Sequence, residues 1–219
     1  MNSPSIEDYL KAIYKADSQG EISSRDIAQR VGVSAPAVSK MLRRLVKLRF
    51  VRIHPHTGIH LTPFGQRTAL QTIRKHRLLE QFLVKELGYQ WDEVHAEAEQ
   101  LEHHISPLLE ERIAEKLGHP SFDPHGDPIP TAEGLMPSIE EIPLHTAELS
   151  SHFLITRLVD GDPKLLRYAA SLDLLPGATI EFHGRQPFGG PYNIIVKGEP
   201  IALAPEAAEQ IFGREVRAQ

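Results

Sequence analysis

The chain has 219 residues and no cysteine. That absence excludes disulfide staples, thiolate metal sites and cysteine nucleophiles together. No apolar run approaches the roughly 18 residues that a membrane span needs. The opening residues, MNSPSIEDYL, lack a basic stretch followed by an apolar core, so no secretory signal is evident. These absences point to a cytoplasmic protein with no membrane partner. No catalytic triad, P-loop, dinucleotide fingerprint or HExxH pattern stands out either. The most local deficit is of one sign of charge. Residues 91–111, WDEVHAEAEQLEHHISPLLEE, hold seven acids (Asp92, Glu93, Glu97, Glu99, Glu102, Glu110, Glu111) and three histidines, but neither lysine nor arginine.

On a helical wheel advancing about 100° per residue, Val94, Ala98, Leu101 and Ile105 make a narrow apolar stripe. His95, Glu99, Glu102 and His103 fall on the neighbouring flank, and His104 points away. Groups spaced three and four apart on a helix can converge on one point. A flank that borders an apolar stripe is half-buried, and like charges packed there raise each other's pKa unless something positive lies between them. No basic residue of the segment can do so. A bound divalent cation can. The plainer alternative is an acidic solvated helix.

The net charge of −5 conceals a basic block. Residues 5–16 predict a helix with Ile6, Tyr9, Leu10 and Ile13 on its apolar face. Next comes ISSRDIAQRVGVSAPAVSKMLRRLVKLRFV. Ser23 with Asp26 forms a candidate capping box, Gly32 breaks the first short helix, and Ser34 can cap a second through Val38, Leu42, Leu45 and Val46. Two short helices across a glycine turn are a helix-turn-helix pattern. Residues 25–52 carry eight basic side chains and one acid, Asp26, the electrostatic footprint of a phosphate-binding surface. FVRIHPHTGIHL predicts two strands around a His-Thr-Gly turn, a wing. The helix from Ala35 then enters the major groove. Ser34, Pro36, Ala37, Ser39 and Lys40 meet base edges, while Arg25, Arg43, Arg44, Lys47, Arg49 and Arg52 grip phosphates, with His54 and His56 in reach.

Pro63 suits the first position of a long helix reaching about Leu87. Its apolar residues run nearly all the way round, which predicts a second buried face, most simply in a dimer. His76 and Glu80 lie one turn apart inside an apolar sector. The helix from Asp92 is expected to end near Ser106, with another from Pro107 to about Leu117. A Pro- and Gly-rich stretch follows, GHPSFDPHGDPIPTAEGLMPSIEEIPL, holding two further candidate ligands, Asp123 and His125. From Thr146, FLITRLV, LLRYAASL, LLPGATIEFHG, YNIIVKG and EPIALAP predict a small β-rich domain with one helix.

These pieces resemble the diphtheria-toxin-repressor family of iron- and manganese-responsive regulators over essentially the full length. The matching segments are IEDYLKAIY, VGVSAPAVSKML, LTPFG after the wing, KHRLLEQFL, EAEQLEHH and HGDPIP, the last three together being highly specific. The tail is similar to the FeoA-type small barrel. The resemblance implies a mainly α fold with β: a winged helix-turn-helix over residues 1–62, a helical metal-binding and dimerisation domain over 63–118, a linker over 119–145, and a small β-barrel over 146–219. It implies a primary metal site of Asp8, Glu99, Glu102 and His103. Asp8 comes from the resemblance alone, since it lies opposite the apolar face of its helix. A second site draws on His76, Glu80 and His95 with Asp123, His125 and Asp160. The chain departs from the two-manganese form of the family, which has a carboxylate where Lys11 stands, and from members with a cysteine at the place of Asp123. The expected function is a homodimeric transcriptional repressor of metal-uptake genes that binds a palindromic operator when loaded with Mn²⁺ or Fe²⁺. Two alternatives are a metal-dependent hydrolase, since carboxylate and histidine sites also activate water, and a winged-helix regulator sensing an organic ligand.

Overall fold

The structure, a computed structural model, describes residues 4–17, 22–54 and 58–217. They divide into two compact units: residues 1–76 with 100–110 and 129–137, and residues 77–99 with 111–128 and 138–219.

The first unit opens with α1 (Pro4–Asp17), α2 (Ser24–Val31) and α3 (Ala35–Lys47). The capping box forms as the sequence predicts: the Ser23 hydroxyl accepts from the Asp26 backbone N–H, and the Asp26 carboxylate accepts from that of Ser23. Gly32 ends α2 at φ 71°, in the left-handed region that glycine tolerates without a Cβ penalty. Ser34 takes the N-cap position of α3 but makes no side-chain capping hydrogen bond there. Ile6, Leu10 and Ile13 of α1 pack on Ile27, Val38, Leu42 and Leu45, and Phe50, Val51 and Ile59 close the same core. Strands β1 (Val51–His54) and β2 (Gly58–Leu61) pair antiparallel, with Arg52 opposite His60. The expected tip of this wing, with His56, lies outside the described residues.

Thr62 caps α4 (Pro63–Leu87) by accepting from the Gly65 backbone N–H. Both α4 and α5 (Val94–Leu101) contribute residues to both units, and α6 (Pro107–Lys116) follows. Part of the wrap-around apolar pattern of α4 is buried within its own chain. Ala69, Leu70, Ile73, Leu78, Leu79 and Leu83 are buried, and so are Thr68, Thr72, His76, Glu80 and Gln81 between them. The rest of that pattern is not buried: Phe82 and Val84 are half-buried and Leu87 is 58% exposed, which leaves the expected second apolar face open to a partner. The α5 helix is shorter than the sequence predicts, stopping at Leu101 rather than near Ser106. Pro107 opens α6, and the residue before a proline is pushed out of the helical region. Ser106 instead caps α6 by accepting from Leu109 N–H, and Glu102 to His104 form a turn closed by His104 N–H to the Leu101 carbonyl.

The second unit contains a six-stranded antiparallel sheet in the order β3-β8-β4-β5-β6-β7. Its strands are β3 (Ile142–Pro143), β4 (Ser151–Leu158), β5 (Thr179–Arg185), β6 (Tyr192–Val196), β7 (Glu199–Leu203) and β8 (Ile211–Val216). The helices α7 (Pro163–Ser171) and α8 (Pro205–Ala208) interrupt them. Phe153, Ile155, Leu158, Leu166, Leu174, Ile180, Ile194, Leu203 and Ile211 form its core.

A loop around residue 125 lies directly on this sheet. Asp123 Oδ1 accepts from the backbone N–H groups of His125 and Asp127, both at 2.9 Å, and folds the loop on itself. The His125 carbonyl accepts from Leu158 N–H at 2.9 Å. Gly126 has φ 91°, and a Cβ there would sit 1.9 Å from the Thr156 carbonyl oxygen, so only glycine lets the loop approach β4. Gly126→Ala should therefore destabilise the protein by about 1–3 kcal/mol, the usual range for forced backbone strain. Gly161→Ala, with open space around the new methyl, should be nearly neutral. Urea unfolding of both variants checks this, and a Gly126→Ala midpoint equal to that of Gly161→Ala would show that the loop is not pinned.

Candidate metal centres and nucleic-acid interface

Among the described residues, seven lysine, arginine, histidine, aspartate or glutamate side chains are buried: Lys11, Arg74, His76, Glu80, Glu102, Asp123 and His125. Burying an ionised group is costly unless it is paired. Arg74 is accounted for by Glu110 Oε1 at 3.0 Å and the Pro130 carbonyl at 2.8 Å. The other six fall into two clusters.

The first cluster forms around Glu102, whose side chain has no exposed surface. The Lys11 ammonium donates to its Oε1 at 2.7 Å, and His76 Nδ1–H to its Oε2 at 2.6 Å. His103, the next residue, sits between carboxylates: Nε2 is 2.8 Å from Asp8 Oδ1 and 3.5 Å from Glu102 Oε1, and Nδ1 is 2.7 Å from Glu7 Oε2. Three of these residues stand on one flank of α1, because Glu7, Asp8 and Lys11 are spaced by three and four. Its other flank is already spent on the winged-helix core. Ligand atoms of Asp8, Glu102 and His103 all lie within 4.8 Å of one another.

The second cluster centres on Glu80, also with no exposed side-chain surface. His95 Nδ1 stands 3.3 Å from Glu80 Oε1 and 3.2 Å from Asp160 Oδ2. Hydrogen bonds to Asp160 and then Glu80 push its pKa up to about 10. On the other side of Glu80, its Oε2 is 3.9 Å from His125 Nδ1. The His125 ring stacks on Trp91 at 5.6 Å and donates through Nε2–H to the Trp91 carbonyl at 2.7 Å. The lone pair is thereby left on Nδ1, which is buried and has no hydrogen-bond partner. Asp123 Oδ2 is buried without a hydrogen bond too, its nearest cation being Arg77 Nε at 3.6 Å. Burial, followed by the negative charges of Glu80 and Asp127, holds the Asp123 pKa well above the usual carboxylate range, with Arg77 pulling the other way. Glu80, Asp123 and His125 thus present acceptor atoms within 4.8 Å of one another in a dry setting. That donor set fits a divalent cation, since an acceptor-only cluster lacks the one thing a cation supplies.

Of the residues expected at the primary site, Asp8, Glu102 and His103 come together, and Glu99 lies on α5 one turn ahead of Glu102. His76, expected at the second site, hydrogen-bonds to Glu102. Glu80, His95, Asp123, His125 and Asp160 gather in the second unit, split into two donor sets that share Glu80. Sequence reasoning missed Glu7. Its spacing to Lys11, one turn of α1, was the available signal.

The candidate nucleic-acid face lies on the first unit. Arg25, Ser34, Pro36, Ala37, Ser39, Lys40, Arg43, Arg44, Lys47, Arg49, Arg52 and His54 are all exposed. Ser39 spends its proton on the Ala35 carbonyl at 3.1 Å, so towards a base edge it offers acceptor lone pairs. With Val38, Leu42 and Leu45 anchoring α3 in the core, its opposite side is a basic surface with small residues at the leading end.

Three family models match the chain: the iron-dependent repressor N-terminal DNA-binding domain over residues 1–59, the iron-dependent repressor metal-binding and dimerisation domain over 62–131, and the FeoA domain over 142–215. The chain belongs to the iron-dependent repressor family. Among curated members, the iron-dependent repressor IdeR of Mycobacterium bovis is 31% identical over 219 residues, covering 94% of each chain. The transcriptional regulator MntR of Salmonella typhimurium is 39% identical over 102 residues, 46% of this chain and 64% of its own. A solved manganese-dependent transcriptional repressor in complex with manganese is 40% identical, with a TM-score of 0.90 over 96% of this chain and 100% of its own. Members of this family are DNA-binding regulators, not enzymes, which removes the hydrolase alternative.

The His95 bridge has a pH signature. Its folded pKa, raised from 6.5 to about 10, means that the metal-free protein holds the imidazolium more tightly than the unfolded chain does. The stabilisation is full below about pH 6.5 and is lost as pH rises through 10. Thermal unfolding of metal-free protein should show wild type losing its advantage over His95→Gln between pH 7 and 10. A constant difference across that window would contradict the bridge.

Proposed function

We propose that this chain is a homodimeric, metal-activated repressor in which Asp8, Glu102 and His103, with Glu99, form the regulatory site. Glu80, Asp123 and His125, with His95 and Asp160, form the ancillary one. The observation that carries the reading is α1. One flank of it builds the winged-helix core against α3, and the other presents Asp8 to His103. Whatever fixes Asp8 to Glu102 and His103 therefore fixes the recognition helix relative to the metal-binding segment. A divalent ion bound there supplies the positive charge that lets three carboxylates share one point.

The protein's part is to position and to switch. Lys11 and His76 hold Glu102 in place, and Glu102 is shared between its counter-ions and the site. Selecting one spacing of the two α3 helices of a dimer is a population shift, driven by differential affinity for the ion. A dimer with α3 in successive major grooves reads a palindromic site with half-sites about one helical turn or a multiple apart. Acting on operator DNA, the protein works in the cytoplasm. The family and the relatives support Mn²⁺ or Fe²⁺ as effector. The donors favour Mn²⁺, because they are carboxylates and imidazoles without thiolate or thioether, and carboxylate-rich sites suit that ion. Lys11 already occupies one oxygen of Glu102, which supports a single ion at the primary site. Genes for manganese uptake are the expected targets.

Operator binding in titrated Mn²⁺, with and without chelator, tests the reading. His103→Ala and Asp8→Ala should lose metal-stimulated binding while still unfolding cooperatively, and full binding by both in chelator would refute the mechanism. Arg43→Ala should weaken binding to all sequences and reduce the salt slope by about 1. An unchanged slope would remove Arg43 from the phosphate contacts.

A further inference from the structure

A histidine ligand needs more than a place in space. One ring nitrogen must carry the proton so that the other can offer its lone pair, and metal-ligating histidines are usually fixed by a partner on the remote nitrogen. His103 has such a partner in Glu7, which lies outside the primary ligand set. Glu7 Oε2 is 2.7 Å from Nδ1, and its side chain is only 12% exposed. Nε2 is aimed at Asp8 and Glu102, the remaining carboxylates of the cluster.

We infer that Glu7 is the positioning residue of the primary metal site: it holds the Nδ1 proton of His103, orients the ring, and so makes Nε2 the ligand atom. The inference rests on the primary site proposed above. Glu7 and Asp8 are adjacent in sequence and take the two nitrogens of one imidazole. The ring is thus clamped by a single turn of α1, with one carboxylate for orientation and one for the ion. Glu7 adds a tether between α1 and the turn after α5 that does not depend on metal. Only the Asp8 side of the ring is then left to respond to the ion.

The test is Mn²⁺ titration of the metal-free full-length protein, with free ion read by electron paramagnetic resonance and the ring ¹⁵N shifts of His103 recorded before metal is added. Glu7→Ala should weaken one bound ion by about 10- to 100-fold, the usual cost of losing such a partner, and should move the His103 shifts away from the Nδ1-protonated form. Glu7→Gln, whose amide oxygen still accepts from Nδ1–H, should retain most of the affinity and the wild-type shifts. Wild-type affinity in Glu7→Ala would overturn the inference. So would equal losses in Ala and Gln with unchanged His103 shifts, since the effect would then be one of charge or fold. Asp8→Ala separates the two levels. If Asp8→Ala binds every ion as wild type does, the primary-site reading fails. If Asp8→Ala loses an ion while Glu7→Ala does not, only the role of Glu7 fails.

Discussion

Two glutamates with no exposed side-chain surface, Glu80 and Glu102, set the terms for the rest of the molecule. A carboxylate taken out of water is unfavourable by several kcal/mol unless its lone pairs are matched. The chain matches them with hydrogen bonds from Lys11 and His76 at one and from His95 at the other. Each cluster brings three carboxylates together: Glu7, Asp8 and Glu102 share Lys11 and two imidazoles, and Glu80, Asp123 and Asp160 share two imidazoles and the flank of Arg77. A folded state that gathers acids in this way is stabilised by any cation that binds it and not the unfolded chain. On the proposed reading, dependence on a divalent ion follows from where the acids are buried.

On the proposed reading, the first of these clusters is also where sensing meets DNA binding. Coupling between sites needs an element that both can bias. Here α1 is that element, and it is short enough to act as one rigid body: Ile6, Leu10 and Ile13 on one side, Glu7, Asp8 and Lys11 on the other. Side chains that pack on α3 and side chains that face the proposed metal site are thus never more than one turn apart.

The parts legible in the sequence were those written in local chemistry. The capping box of Ser23 and Asp26, the turn at Gly32 and the start of α4 at Pro63 each depend on neighbours a few residues away, and all appear where the pattern put them. The acid and histidine segment was legible as a binding surface, yet its helix ends at Leu101, because Ser106 caps the next helix instead of continuing the last. Asp8 and Glu7 were invisible to periodicity. They lie on the side of α1 that looks solvent-facing until the turn after α5 covers it. Strand β8 went unread because its segment, IFGREV, breaks alternation with Gly213 and two charges. Asp123 and His125 could be suspected from their residue types. Only the folded loop, in which Asp123 spends one oxygen on backbone and keeps the other for the site, gave them a common direction.

The stacking of Trp91 on His125 has a practical consequence. The chain contains a single tryptophan, so all indole emission comes from a ring lying against one imidazole of the second cluster. A change of charge on that imidazole, whether by proton or by metal, alters the environment of the only fluorophore of its kind in the molecule, while the first cluster has no indole of its own. The protein thus carries a built-in optical gauge for that one cluster, read in the unlabelled chain.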